Sequence, residues 1–259
     1  MTAPLVVLMA TIAIMFAIWL VSLPLRNASI VDIFWGSGFV VAGWLYFVLT
    51  DTTSPRKWLA VGLVTVWGLR LTVHLFVRNR GKDEDYRYRA MRERHGSSFW
   101  WVSFVTVYLM QGVIMWIVGL PLWVAMRGEV PSGLTWIDGL GFAVFFTGLV
   151  FETVGDGQLT RFKADQGNRG KLMTTGLWRY TRHPNYFGDA LVWWGLTGLA
   201  LATPGSWWVV VSPLLMPFLL RRVSGVALLE QRMHESKPGF KEYVERTNAF
   251  VPWFPRANG

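Results

Sequence analysis

The sequence of 259 residues contains no cysteine. Disulfide bonds, thiolate catalysis and cysteine-ligated metal or iron–sulfur centres are therefore excluded. Charge is also scarce: only 16% of the residues are charged, and 16 acidic residues stand against 25 basic ones. Together with 53% hydrophobic residues and 16 tryptophans, this composition is typical of a polytopic membrane protein and not of a water-soluble domain.

A net charge of +9 raises the question of nucleic-acid binding. The basic residues gather in a few segments between apolar stretches and do not form one continuous face, so the positive-inside pattern explains them better. We therefore expect membrane lipids, and no nucleic acid, as partners. Nothing in the sequence indicates a metal ion or an obligate protein partner.

Apolar segments near the length needed to cross the hydrocarbon layer, about 20 residues, predict an all-α fold with about seven transmembrane helices. They lie near 4–25, 30–50, 56–77, 99–124, 134–156, 186–203 and 207–229. With seven spans, 21 of the 25 basic residues fall on one side. This predicts an external N-terminus and a cytoplasmic C-terminus. No repeat or linker divides the chain, so we expect a single membrane-embedded domain over residues 1–259.

Several charged groups lie within or at the ends of these apolar segments. They are Asp32, Arg70 with His74 one turn later, Glu152, Asp156 and Asp189. An ionised group in hydrocarbon is costly, so each should face a partner or a polar cavity. Buried ion pairs that join helices would explain them, and so would a functional site. Asp156 and Asp189 favour a site, because they lie beside basic segments at cytoplasmic helix ends.

Two basic segments connect the helices on the cytoplasmic side. The first, within residues 78–94, alternates both signs of charge and is interpreted as a solvated, salt-bridged loop at the lipid headgroups. The second, residues 161–182, carries spaced bases and glycines ahead of a helix, an arrangement that can hold phosphate oxygens. It ends in the motif "GLWRYTRHPNYFGD", residues 176–189.

This motif resembles the signature of bacterial membrane proteins in the steroid 5α-reductase-like superfamily, which also includes sterol reductases. The resemblance extends to "VDIFWG", "WGLRLTVHLFVRNRGKDEDYRY", "LMQG" and "FKEYVERTNAFVPWFP". Its core, Arg-His-Pro-x-Tyr-x-Gly, is shared with membrane methyltransferases that bind S-adenosylmethionine. Asn185 and the closing Gly188-Asp189 are closer to the reductases.

The resemblance implies a seven-span enzyme of the bacterial inner membrane that binds NADPH in a pocket open to the cytoplasm. Such an enzyme reduces the electron-poor C=C bond of a lipophilic enone, for example a 3-oxo-4-ene steroid. The positions that match its cofactor pocket are Arg70, Asn79, Asp156, Lys163, Lys171, Arg179, Tyr180, Arg182, His183, Asn185, Tyr186 and Asp189. Arg222 and Glu230 are looser matches in the tail.

The catalytic acid is where the chain departs from the family. Steroid reductases use a Glu–Tyr pair to stabilise the charge that develops on the carbonyl oxygen. Asp32 falls at the position of the Glu, but Trp67 occupies the position of the Tyr and has no phenolic proton. We expect Tyr108 to donate the proton, with His74 as an alternative.

Two other functions remain open. A methyltransferase of lipid or prenyl substrates, dependent on S-adenosylmethionine, is favoured by Arg182-His183-Pro184 and by Glu230. It is disfavoured by Asp189. A transporter or assembly factor would use the buried charges for an ion, but the chain lacks the inverted repeat that transporters often show.

Overall fold

The structure is a computed structural model that describes residues 1–219 and 226–256. The protein is all-helical, with 78% of its residues in helices, and the described ranges contain no strand. The expected all-α class is therefore confirmed. The tail position Arg222 lies outside the described residues, as does part of the segment predicted as the seventh span.

The helices follow one another with short connections. Their bounds are α1 Ala3–Leu25, α2 Ile30–Leu49, α3 Pro55–Asn79, α4 Tyr86–His95, α5 Phe99–Ser103, α6 Met110–Arg127, α7 Trp136–Ala164, α8 Pro184–Leu201, α9 Val211–Phe218, α10 Val226–Ser236 and α11 Phe240–Arg246. A π-helical segment, Phe104–Leu109, joins α5 to α6.

Five helical segments are long and apolar enough to cross a membrane. They are Ala3–Leu25, Ile30–Leu49, Pro55–Asn79, Tyr86–Arg127 and Trp136–Ala164. These segments coincide with the first five predicted spans. The sixth predicted span forms α8, which begins with a polar turn and is not among the five, and Trp207–Phe218 is apolar but short. The count of seven spans and the orientation stay predictions.

One predicted loop is instead largely helical. Within residues 78–94, α3 continues to Asn79 and α4 begins at Tyr86. The Asp85 side chain caps α4 by accepting a hydrogen bond from the backbone N–H of Arg87 at 3.0 Å, which satisfies one of the donors that a helix start leaves open. The charged sequence therefore forms a short helix and not an extended, solvated loop.

The first of two compact units comprises Met1–Thr135 and Leu199–Val209. In it α1, α2, α3 and α6 pack together, with the most extensive contact between α2 and α3. Glycines make this contact close: a Cβ atom added at Gly68 would lie 2.6 Å from the carbonyl oxygen of Gly36. Small residues bring helix backbones together in this way in membrane proteins, where packing drives helix association.

The second unit comprises Trp136–Gly198 and Val210–Gly259. Its helices α7 and α8 also meet through glycines. A Cβ atom at Gly148 would lie 2.6 Å from the carbonyl oxygen of Gly188, and one at Gly195 would lie 2.6 Å from that of Gly141. The glycines repeat every seven residues on each helix, the spacing that keeps one seam of a helix facing its neighbour. The single domain expected over residues 1–259 stays a prediction.

The α2–α3 contact gives a direct test of the packing. Gly68→Ala should lower the stability of the protein by about 1–3 kcal/mol, because the new methyl group meets a backbone oxygen that cannot move aside. Gly62→Ala, on the same helix, is the matched control. A Cβ atom there has nothing within 4 Å, so the better helix propensity of alanine should leave stability unchanged or slightly raised. Thermal unfolding in detergent measures both, and equal effects would contradict the close packing.

Candidate functional site

The first unit contains a polar cluster around Asp32 in the first turn of α2. Tyr88 donates its phenolic hydrogen to Asp32 Oδ1 at 2.7 Å, and Arg87 Nη2 forms an ion pair with Asp32 Oδ2 at 2.9 Å. Gln111 Nε2 in turn donates to the phenolic oxygen of Tyr88 at 3.3 Å. Asp32 is therefore one member of a carboxylate–phenol pair with an arginine on the opposite oxygen.

Backbone contacts fasten α4 and the residues before it to the α1–α2 turn. Glu84 accepts a hydrogen bond from the backbone N–H of Ala28 at 2.7 Å, and the N–H of Asp85 donates to the Ser29 hydroxyl. Arg92 donates to both oxygens of Glu84, at 2.9 and 2.8 Å. These bonds hold Arg87 and Tyr88 over the start of α2.

Arg87 also bonds to Asp85 in the same segment. Burial by itself would raise the pKa of the Asp85 carboxyl, but the hydrogen bonds from the Arg87 side chain and backbone outweigh it and hold the pKa below its ordinary value. Asp85 is therefore ionised at neutral pH. Arg87 thus joins two carboxylates, one from the α3–α4 connection and one from α2.

The predicted proton donor Tyr108 is fully buried in the π-helical segment. Its hydroxyl donates to the carbonyl oxygen of Ala28 at 3.1 Å, so its hydrogen is already bonded to the backbone. Trp67 is fully buried and packs against Phe39, with ring centroids 5.7 Å apart. The phenol that bonds to Asp32 is that of Tyr88.

Other predicted residues lie along α3 in the same unit. Arg70 and His74 are half-buried and one turn apart, and both take part in polar or ring contacts. Asn79 is the last residue of α3, and its side-chain oxygen accepts a hydrogen bond from Arg78 at 3.3 Å. The roles of Arg70 and Asn79 in cofactor binding stay predictions.

The second unit brings together the acidic and amide residues of α7 and α8. The glycine seam continues to Gly155, where a Cβ atom would lie 3.2 Å from the backbone nitrogen of Asn185. As a result Asn185 Nδ2 donates to Asp156 Oδ1 at 3.1 Å. Glu152, one turn before Asp156, and Asp189, one turn after Asn185, are both buried and both have polar contacts. These are the helix-end positions that the sequence predicts to be functional.

A tight turn positions the start of the motif. Gly176 has a φ of +62°, in the left-handed region that only glycine adopts at little cost. The side chain of Gln158 in α7 accepts a hydrogen bond from the backbone N–H of Leu177 at 3.0 Å. The indole of Trp178 donates to the carbonyl oxygen of Gly155 at 3.1 Å. The turn is thereby joined to α7 at the level of Asp156.

Arg182, His183 and Glu230 form a second cluster. Arg182 Nε and Nη2 donate to the two oxygens of Glu230 at 2.8 and 3.1 Å, and His183 Nε2 lies 2.9 Å from Glu230 Oε1. Arg182 Nη1 donates to the carbonyl oxygens of Val244 and Thr247 in the tail. The imidazole stacks on the ring of Tyr186, with centroids 5.4 Å apart. These contacts favour a structural role for the Arg182 guanidinium.

Glu230 is strongly affected by this environment. Burial alone would raise the pKa of its carboxyl, but hydrogen bonds from His183 and Arg182 and the charge of Arg182 outweigh burial and lower the pKa from 4.5 to about 2. Glu230 is therefore ionised at neutral pH and holds α10 to the motif.

The remaining predicted positions are exposed. Lys163 is at the end of α7, Lys171 follows in the connection, and Arg179 and Tyr180 lie in the turn before α8. Their cationic groups face solvent, where they can bind the phosphates of a ligand. Whether they do so stays a prediction.

Sequence reasoning missed Tyr88, Arg87 and Gln158. Tyr88 stands in a run of charges that resembles a solvated loop, yet it is a buried phenol, and tyrosine in such a run is the only signal that the sequence offers. Arg87 precedes it. Gln158 follows Asp156 by two residues and has no local pattern that indicates its bond to Leu177.

Comparisons with known proteins place this geometry in a family. A family profile described as a protein of unknown function, DUF1295, matches residues 18–247. The chain belongs to the DUF1295 family. An uncharacterised protein of Schizosaccharomyces pombe is 25% identical over 272 residues, which cover 93% of this chain and 76% of that protein. A probable O-methyltransferase of Ustilaginoidea virens is 45% identical over 65 residues, 25% of this chain and 22% of that protein. No solved structure matches this DUF1295 protein significantly.

The Glu230 cluster generates a prediction of pH dependence. At neutral pH, Glu230→Gln should destabilise this DUF1295 protein by about 3 kcal/mol, because it leaves buried Arg182 without its counter-charge. Since the folded-state pKa is the lower one, the Glu230 contribution is complete above pH 4.5 and is lost as the pH falls towards about 2. The difference between wild type and variant should therefore shrink below pH 4.5. Glu235→Gln, an exposed position on α10, is the control. Thermal unfolding from pH 7 downwards measures both, and a constant difference would contradict the prediction.

Proposed function

We propose that this protein is an NADPH-dependent membrane reductase that reduces the electron-poor C=C bond of a lipophilic enone, such as a 3-oxo-4-ene steroid. The observation that carries the proposal is the carboxylate–phenol pair of Asp32 and Tyr88, with oxygens 2.7 Å apart. The family that the sequence resembles uses such a pair as its acid. The DUF1295 family includes steroid 5α-reductase-like proteins, which supports the same reading.

Tyr88 has the chemistry that reduction of an enone needs. Hydride addition at the β-carbon builds negative charge on the carbonyl oxygen, and a donor aimed at that oxygen stabilises the transition state. The ion pair with Arg87 leaves the negative charge on Asp32 and the shared proton on Tyr88. The phenolic O–H can then turn from Asp32 to the substrate oxygen, while Gln111 donates to the phenolic oxygen and limits the charge that builds up there.

The second unit supplies residues that fit NADPH. An ionised carboxylate only accepts hydrogen bonds, so the amide of Asn185 turns its Nδ2 group to Asp156 and its Oδ1 atom away. Asn185 Oδ1 is buried and has no hydrogen-bond partner. A buried acceptor without a donor fits a ligand that brings an N–H group, as the carboxamide of nicotinamide does. When bound, NADPH supplies the hydride.

The exposed cations of the second unit fit the other end of the same ligand. Lys163, Lys171 and Arg179 can bind the phosphate oxygens. Arg182 would act at a distance from these phosphates by holding the tail, through Glu230 and the carbonyl oxygen of Thr247. In this proposal Asn185 and Asp189 position the nicotinamide end, and His183 with Tyr186 packs beside them.

Methyl transfer from S-adenosylmethionine is a second candidate. The partial match to a probable O-methyltransferase favours it, and so does the joining of Arg182 and His183 by Glu230. A methyltransferase acting on a hydroxyl group needs a base that removes a proton, and the Asp32–Tyr88 pair could serve that purpose too. The two candidates therefore differ first in the cofactor.

Cofactor binding distinguishes them. Purified protein should be stabilised against heat by NADPH and not by S-adenosylmethionine. A ligand at about one hundred times its Kd stabilises the folded state by about 2.7 kcal/mol, which is easily measured as a rise in Tm. Asn185→Ala should reduce the rise with NADPH, because it removes the amide that faces the nicotinamide. A rise with S-adenosylmethionine alone would reject the reductase and favour the methyltransferase.

The proton donor is tested by a matched pair of phenol deletions. Tyr88→Phe should lower the turnover of an enone by about 10²–10⁴-fold, the usual effect of losing a general acid, while NADPH affinity stays unchanged. Tyr108→Phe removes a hydroxyl that bonds only to a backbone oxygen and should affect stability more than turnover. NADPH oxidation with a 3-oxo-4-ene steroid measures both. Full activity in Tyr88→Phe with loss in Tyr108→Phe would return the role to Tyr108.

A further inference from the structure

The C-terminal segment presents an apolar surface that the proposed reaction does not use. Trp253 and Phe254 are 67% and 76% exposed, although they are among the largest apolar residues of the chain. Val251 and Tyr180 are exposed beside them in the second unit. We call these four residues, Tyr180, Val251, Trp253 and Phe254, the tail patch.

The tail patch is held in shape by bonds to the motif. The backbone N–H of Trp253 donates to the carbonyl oxygen of Tyr180 at 2.9 Å. The rings of Tyr180 and Phe254 meet edge to face, with centroids 6.0 Å apart. The Thr181 hydroxyl donates to the carbonyl oxygen of Phe250 at 2.9 Å. An ordered patch has little conformational entropy left to lose when it binds a surface.

Exposed arginines flank the tail patch. Arg179 directly precedes Tyr180, and Arg256 follows Phe254 by two residues. The backbone N–H of Arg256 donates to the carbonyl oxygen of Arg246 at 3.0 Å, which brings a third exposed arginine to the same end of the tail. The acidic residues of α11, Glu242 and Glu245, come earlier in the chain. The immediate border of the patch is therefore basic.

We propose that the tail patch docks on the anionic headgroup layer of the membrane. Tryptophan and tyrosine rings concentrate at the level of lipid headgroups, where their apolar bodies and polar edges are both solvated. Each arginine close to an anionic surface adds a favourable electrostatic contribution. The chain already carries five helices suited to a membrane, so a lipid surface is the partner that an apolar patch with a basic border fits.

Docking would also affect the motif. The same tail accepts a hydrogen bond at Asn248 from the backbone N–H of Arg182, and Arg182 precedes His183 in the cluster with Glu230. Lipid contact at the tail patch therefore stabilises the segment that leads into α8. This inference does not depend on which cofactor the protein binds.

The absence of cysteine makes a site-specific test simple. Val251→Cys, labelled with an environment-sensitive fluorophore, keeps all three aromatic residues of the patch. In nanodiscs in which about a third of the lipid is phosphatidylglycerol and the rest phosphatidylcholine, the emission should shift to shorter wavelength. Nitroxide-labelled lipid should quench it, and aqueous iodide should not. Asp83→Cys, at a side chain that is 95% exposed, is the water-exposed reference.

Two further variants show whether the patch itself causes the effect. In the labelled background, Trp253→Ser with Phe254→Ser should abolish lipid quenching, and circular dichroism should show that the helices are kept. Arg256→Gln should lower the ratio of docked to undocked protein in the anionic nanodiscs by about fivefold, with a smaller effect in pure phosphatidylcholine. Iodide quenching as strong as at the reference would overturn the proposal. Protection from both quenchers would also overturn it, since protein would then cover the patch.

Discussion

A carboxylate in an apolar helix is tolerated only when its neighbours replace the hydrogen bonds of water. Asp32 in α2 meets this requirement through Arg87 and Tyr88, which lie 55 and 56 positions later in the chain. Both come from α4, so α4 must be in place before Asp32 can be buried at this cost. The bonds of Glu84 and Asp85 to the α1–α2 turn serve that end. The first unit is thus organised around the partners of one acidic side chain.

The second unit solves the same problem by close packing. Glycines spaced by seven residues let α7 and α8 approach until Asn185 bonds to Asp156. Arg182, which is buried, is satisfied by Glu230 and by backbone oxygens of the tail. Because its donors are used in this way, a phosphorylated ligand has to be held by cations that remain exposed, such as Lys163 and Arg179. Buried and exposed bases of one motif thereby acquire different functions.

Much of the helical fold could be predicted, because the length of an apolar run and the cost of exposing polar backbone in lipid leave few alternatives. The motif at residues 176–189 likewise indicated the helix end where Asp156 and Asn185 meet. α4 could not be predicted in the same way, since it has almost no apolar face and is held by capping and by Glu84. The pairing of Asp32 with Tyr88 depends on contacts between distant segments. A pattern within either segment does not contain it.

The position of Arg87 bears on how the Asp32–Tyr88 pair can work. Its guanidinium bonds to Asp32 and also lies over the ring of Tyr88, 5.4 Å from the centroid. If Tyr88 turned its proton to a substrate oxygen, negative charge would build up on the phenol beside a carboxylate, which is unfavourable without a cation. Arg87 supplies that cation for both groups, and Gln111 donates to the phenolic oxygen. In this chain, which has Trp67 where related reductases have a tyrosine, the arginine next to Tyr88 is what allows a phenol from a different helix to serve as the acid.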